Sequence, residues 1–296
     1  MPGLRLSSCF ARIETPSYVV FRSDLSTVKL SGEDARFVTS RLLPLLDGTR
    51  DRPQIAAALG EYSGASVGRL LDGLTRAGIV NESEEPERPE DAFFRMWGVA
   101  PETASASVDS ASVLLCVPGA LGLALAHELK SARVGSVCLL SEEQSISDAL
   151  RETRFRGNTG PRRVLVETST LKAPLILEVA RTAHEERMPS LWLHRGPGRA
   201  LLGPLVVPGK TACRVCASQQ ALSALRFDPS DSASPEAAPL DMDFYASLLA
   251  AETLKVLTGY TNESLGGRVV EHSLVDFRSS RHTLVRLPWC QVCGLP

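Results

Sequence analysis

Ser112-Val113-Leu114-Leu115-Cys116-Val117-Pro118-Gly119-Ala120-Leu121-Gly122 is the stretch whose reading decides the fold. Ser112 to Val117 is an apolar run of strand length. Pro118 to Gly122 is a turn into a helix that runs through Leu129. Ser136-Val137-Cys138-Leu139-Leu140 is a second apolar run. Strand, glycine-containing turn, helix and strand make a βαβ unit, which predicts a parallel sheet. Further along, Arg163-Val164-Leu165-Val166 reads as a third strand, residues 172–187 as a helix and Ser190-Leu191-Trp192-Leu193-His194 as a fourth strand. A Rossmann-type α/β domain is expected over residues 111–296.

The turn is a damaged dinucleotide fingerprint. The G-x-G-x-x-G frame falls on Val117, Gly119 and Gly122, so the first glycine, which permits the tight turn beside the phosphates, is missing. Pro118 also removes an N–H that could face a nucleotide. The second strand runs into Ser141, with Glu142 and Glu143 beyond it as the nearest acids for a ribose. The helix start could still attract an anion. ATP binding is not expected.

Two C-x-x-C pairs follow, Cys213-Arg214-Val215-Cys216 and Cys290-Gln291-Val292-Cys293. Within each pair, two intervening residues let both sulfurs turn to one point. Four thiolates can surround Zn²⁺ tetrahedrally at about 2.3 Å. Such a site has no open position, so its zinc is expected to be structural. The alternatives are two redox dithiols or incidental cysteines. A redox dithiol usually opens a helix after a strand, and the second pair leaves no room for one.

The formal charge of −2 over 296 residues suggests no nucleic-acid partner. Met1 to Arg12 lacks the apolar core of a signal peptide. No stretch stays apolar for the ~18 residues of a membrane span. Of the seven cysteines, Cys116 and Cys138 read as buried small hydrophobes and Cys9 is uninformative. This usage fits a reducing cytoplasm.

Residues 1–85 read as a winged helix-turn-helix-like module. Tyr18-Val19-Val20-Phe21-Arg22 and Thr27-Val28-Lys29-Leu30 pair around a turn, and residues 9–14 add a third strand. Ser31 is expected to cap a helix carrying Ala35, Val38, Leu42, Leu45 and Leu46, which Asp47-Gly48-Thr49-Arg50 stops. Pro53 starts a second helix. A third carries Val67, Leu70, Leu71 and Leu74 on one face and ends at Gly78, before a short strand at Ile79-Val80. Winged helices often bind DNA, but Arg69 and Arg76 are scattered and Glu82, Glu84, Glu85 and Glu87 follow. Residues 86–110 read as a mainly extended linker, with Ala92 to Trp97 as one apolar anchor.

"LLPLLDGTRDRPQIAAALG…VGRLLDGLTRAGIV" resembles the PqqD-like peptide-recognition domain of ribosomal natural-product pathways. In that family an exposed strand edge facing the third helix captures the leader of a precursor peptide as an extra strand. The resemblance puts peptide binding on Thr27, Val28, Lys29 and Leu30, and on Arg69, Leu70, Gly73 and Arg76 of the helix Ala65 to Ala77. Arg69 and Arg76 could pair with acidic leader residues, or be solvated helix charges.

"LLGPLVVPGKTACRVC", "YASLLAAETLKVLTGY" and "PWCQVC" resemble the ThiF-like fold of ubiquitin-activating and related adenylating enzymes, in particular the ThiF-like partner proteins of thiazole/oxazole peptide biosynthesis. The resemblance implies zinc on Cys213, Cys216, Cys290 and Cys293, a helix from Asp243 to Thr258, and a homodimer. It also implies a separate YcaO-type cyclodehydratase as partner, because no segment here reads as that enzyme. Catalysis does not carry over. Glu167 is the only acid where a metal-binding Asp belongs, Arg154 and Arg156 are the candidate phosphate arginines, and no catalytic cysteine is identifiable. An adenylating enzyme acting on a peptide or carrier C-terminus is the alternative, and a zinc-bound winged-helix regulator a third. His127, His184, His194, His272 and His282 show no metal spacing, although His194 lies at a strand end beside Arg195. Residues 228–240 read as a surface loop.

Overall fold

The computed structural model describes residues 3–15, 17–23, 26–60, 64–83, 89–140, 162–168, 173–196, 199–224, 242–260, 265–273 and 275–294. The chain divides into two compact units, Met1–Pro101 and Glu102–Pro296.

In the first unit, β2 (Ala11–Glu14), β3 (Tyr18–Arg22) and β4 (Thr27–Ser31) form an antiparallel sheet with β3 in the middle. Alternation along β3 sends Val19 and Phe21 into the core. α1 (Glu33–Phe37) continues as a wider π turn over Val38–Leu42 and a tighter 3-10 turn over Leu43–Leu45. α2 (Arg52–Ala58) begins with a capping box between Asp51 and Gln54 and carries Pro53 in its first turn. α3 (Gly64–Arg76) buries Val67, Leu71 and Leu74. Leu4, Val38, Leu42, Ile55 and Ile79 complete that core. Asp47 accepts from the Thr49 N–H at 2.9 Å and the Thr49 hydroxyl at 2.5 Å, closing the Asp-Gly-Thr turn.

Three details differ from the sequence reading. Ser31 does not cap α1: it is the last residue of β4, paired opposite Tyr18, and Gly32 takes the cap position with no side-chain bond. Sheet pairing wins over the cap. An additional strand, β1 (Gly3–Leu6), pairs with β5 (Val80–Ser83). The stretch expected to be mainly extended holds two helices, α4 (Pro89–Met96) and α5 (Pro101–Asp109). Each starts on a proline, whose fixed φ suits the first helical position, followed by acids that favour the helix start.

In the second unit, the described strands form one mixed sheet in the order β12 (Ser279–Thr283), β11 (Arg268–Ser273), β10 (Arg199–Val206), β9 (Ser190–Gly196), β8 (Arg163–Thr168), β6 (Ser112–Cys116), β7 (Ser136–Leu139). β6, β7, β8 and β9 are parallel, as the βαβ pattern requires. β10, β11 and β12 extend the sheet antiparallel, an addition the sequence reading did not contain. All of β6 is buried. α6 (Gly119–Ser131) packs with α9 (Met242–Thr258), and α7 (Ala173–Glu185) with α8 (Arg214–Ala224). α7 covers the sheet face that carries Leu114, Cys116 and Leu165.

A Cβ on Gly122 would lie 1.9 Å from the Val117 carbonyl oxygen, so α6 approaches the turn after β6 too closely for any side chain there. Gly122→Ala is therefore expected to cost about 2 kcal/mol, within the usual range for overpacking, as a lower denaturation midpoint with unchanged slope.

Candidate functional site

The four paired cysteines converge. Cys213 immediately precedes α8 and Cys216 lies in its first turn. The second pair sits in a tight turn, where the Cys290 N–H donates to the Leu287 carbonyl at 3.0 Å and Gly294 N–H to the Cys290 carbonyl at 2.9 Å. Sulfur separations are 3.9 Å for Cys213–Cys216, 3.4 Å for Cys213–Cys290 and 3.4 Å for Cys216–Cys293. All four sulfurs lie within 4.8 Å of one another, and all four residues are buried. Tetrahedral Zn–S bonds of about 2.3 Å place sulfurs roughly 3.8 Å apart, so donor type and spacing fit zinc. The cysteines are free thiols, not disulfides.

The surroundings hold this geometry. The Leu287 N–H donates to the Cys216 sulfur at 3.4 Å. Arg286 donates to the Cys293 carbonyl at 2.6 Å and the Gly209 carbonyl at 3.2 Å. The Gln220 amide donates to the Val285 carbonyl at 2.6 Å and accepts from its N–H at 3.0 Å. Trp192, Leu201, Ala217 and Val269 exclude water. Burial pushes the Cys213 thiol up, and the Cys216 thiol up to about 11. At Cys290 burial acts the same way, but the N–H groups of Cys293 and Val292 and the thiols of Cys216 and Cys213 outweigh it, bringing the thiol to about 7. A metal bound here would take the place of these protons.

The strand order reverses at β6, which has β7 on one side and β8 on the other. Ligands of open α/β sheets bind outside the strand ends at such a point. Gly119, with φ +71°, follows Pro118, which caps α6 without a side-chain bond. Gly122 keeps the third fingerprint role, close helix–strand contact. Glu167, near the end of β8, is 1% exposed and ion-paired at 3.3 Å with Arg214, itself 3% exposed. Burial pushes the Glu167 carboxyl up, to about 7, while the Arg214 charge acts against it. The Arg214 guanidinium lies 3.9 Å from the Trp192 ring centroid and donates to the Ser218 hydroxyl. The only acid the sequence offered as a metal-binding group is thus engaged with an arginine. Arg214 was missed in the sequence, since nothing in C-R-V-C spacing shows where that side chain turns. His194 is buried beside Trp192, with ring centroids 6.0 Å apart. Glu142, Glu143, Arg154, Arg156 and residues 228–240 lie outside the described residues.

In the first unit, β4 pairs with β3 alone among the described strands, so no described strand covers its other edge. Thr27 and Lys29 point outward and are exposed, while Val28 and Leu30 are half-buried against the core. The Lys29 ammonium lies 4.4 Å from the Tyr18 ring centroid. Leu70 of α3 packs half-buried on the same core, and Arg69, Gly73 and Arg76 are exposed along α3. No atom lies within 4 Å of a Cβ built on Gly73, so that part of the helix is open.

No family model and no curated protein matches the sequence. Solved structures do match. A heterocyclase in complex with substrate and cofactor aligns at TM-score 0.69 and 22% identity, over 99% of this chain and 40% of that one. The heterocyclase TruD aligns at 0.66 and 21%, over 99% and 43%. E. coli MccB with MccA-N7isoASN aligns at 0.66 and 14%, over 100% of both chains. The fold is shared with MccB. The chain spans about two fifths of the length of the two heterocyclases, 40% and 43%. Among the described residues no helix is long and apolar enough to cross a membrane.

Proposed function

We propose that this protein is a non-catalytic scaffold in the biosynthesis of ribosomally made peptide natural products of the azole or thiopeptide kind. Its first unit binds the leader of a precursor peptide, and its second docks a separate YcaO-type cyclodehydratase. That enzyme uses ATP to convert Cys, Ser or Thr residues of the core peptide to azolines. The observation that carries this reading is the edge of β4 that no described strand covers, on a strand whose Val28 and Leu30 share one core with Leu70 of α3. A peptide added there gains backbone hydrogen bonds for affinity, and its alternate side chains supply specificity. Tethering the leader raises the effective concentration of the core at the partner's active site. Zinc on Cys213, Cys216, Cys290 and Cys293 has no open position and holds structure. The protein acts as a homodimer in the cytoplasm, without nucleic acid or membrane.

Arg69 and Arg76 meet acidic leader residues in this reading. Arg69→Glu/Arg76→Glu is expected to weaken an acidic leader about tenfold or more at low salt, measured by fluorescence anisotropy on the full-length protein. The difference shrinks at high salt, because exposed charges are screened. Equal affinity at both salt concentrations would remove the two arginines from the site.

A second reading is an adenylating enzyme acting on a peptide or carrier C-terminus. It is favoured by the solved structure of E. coli MccB with ATP, whose alignment covers 98% of this chain and 99% of that one. The missing first glycine and the engagement of Glu167 by Arg214 weigh against it. ATP–pyrophosphate exchange separates the two: the scaffold reading expects none with any peptide, and turnover would establish the enzyme.

A further inference from the structure

Arg214 lies between two ligating cysteines in sequence, yet its side chain turns into the protein. Three contacts hold it there: the Glu167 carboxylate at 3.3 Å, the face of Trp192 at 3.9 Å, and the Ser218 hydroxyl one helical turn along α8. Glu167 belongs to β8 and Trp192 to β9, and the two face each other in the parallel ladder. The guanidinium therefore ties the cysteine-bearing start of α8 to the middle of the sheet. Burying a pair this fully is costly and does not by itself argue for stability. A reason to keep it lies next door. Four thiolates on one divalent cation carry a net charge of −2, in an apolar shell of Trp192, Leu201, Ala217 and Val269 that supplies no compensating charge. A guanidinium on the residue beside Cys213 supplies positive charge there, and Glu167 fixes where that charge sits.

We propose that Glu167 and Arg214 are positioning residues for the metal, clamping the first cysteine pair to the central sheet so that metal retention depends on a carboxylate near the end of β8. The inference rests on the four-cysteine metal reading. It gives Glu167 a part outside nucleotide chemistry: the buried acid near the end of β8 governs the closed centre. Groups that orient or charge-balance metal ligands typically alter affinity 10- to 100-fold when removed.

The test is zinc release from the full-length, zinc-loaded protein to a chromogenic chelator, below the unfolding transition, with circular dichroism recorded in parallel. Glu167→Gln keeps shape but removes the charge, and about tenfold faster release is expected. Glu167→Leu/Arg214→Met removes the pair without stranding a buried charge, so it protects folding while testing the clamp. It too should release zinc about tenfold faster. Glu186→Gln breaks the exposed Arg163–Glu186 pair, 3.4 Å, and should release at the wild-type rate. Wild-type release rates in Glu167→Gln and in the double variant, whatever happens to their melting temperatures, would overturn the inference and leave the metal reading intact. Absence of bound zinc from the wild-type protein would overturn both.

Discussion

Cys216→Ser is expected to lower the thermal midpoint of the second unit by about 10 °C or more and to reduce bound zinc well below one per chain. The free energy of a structural metal is folding free energy, and losing one of four thiolates forfeits much of it. A loss of about 4 kcal/mol at roughly 2–4 °C per kcal/mol for a domain of this size gives that shift. Cys216 is fully buried, its sulfur lies 3.4 Å from that of Cys293, and it accepts the Leu287 N–H. A serine there breaks the donor set and strands a polar group together. Cys9→Ser is the control: Cys9 is far from the cluster in sequence and half-buried, and its thiol donates to the Ala92 carbonyl at 3.3 Å. It should change the midpoint by a degree or two at most. Zinc content by atomic absorption and unfolding by calorimetry check both. Acid acts in the same direction as Cys216→Ser, since protons compete with the metal for thiolates as pH falls.

N-methylation of alternate amides along a binding leader is the second large effect. A leader that adds to β4 as a strand uses every second N–H for the ladder and turns the others outward. Three methyl groups on the paired set remove three hydrogen bonds worth about 1 kcal/mol each and place bulk in the ladder, a loss of about 100-fold or more. Three on the other set should cost under fivefold. This difference depends on pairing parity alone, so it separates strand addition from side-chain recognition in a groove. Equal losses for both peptides, read by anisotropy, would rule out pairing at β4.

Much of this fold is legible because its signals are local and redundant. Val113–Cys116 is apolar throughout because both faces of β6 are covered, and the glycine turn after it fixes the βαβ unit. The cysteine pairs declare their meeting although they lie far apart in the chain. What escaped reading has physical reasons. β1 is four residues long and gains its place from β5, at the other end of the unit. β10 contains Gly203-Pro204, which breaks a strand pattern, and the ladder shifts register there, between Leu202 and Leu205. Residues 86–110 read as a mainly extended linker, whereas Pro89 and Pro101 at first helical positions, each followed by an acid, start helices. At the site, the Glu167–Arg214 contact joins a strand end to the first cysteine pair, and only tertiary structure brings the two together.

The most direct test of the account is hydrogen exchange on the full-length protein titrated with synthetic leader segments of candidate precursor peptides. Saturable binding with exchange slowed at Thr27–Ser31, and with perturbation along Gly64–Arg76, is the predicted result. Binding that leaves β4 exchanging as in the free protein, or no saturable binding to any leader, would contradict it.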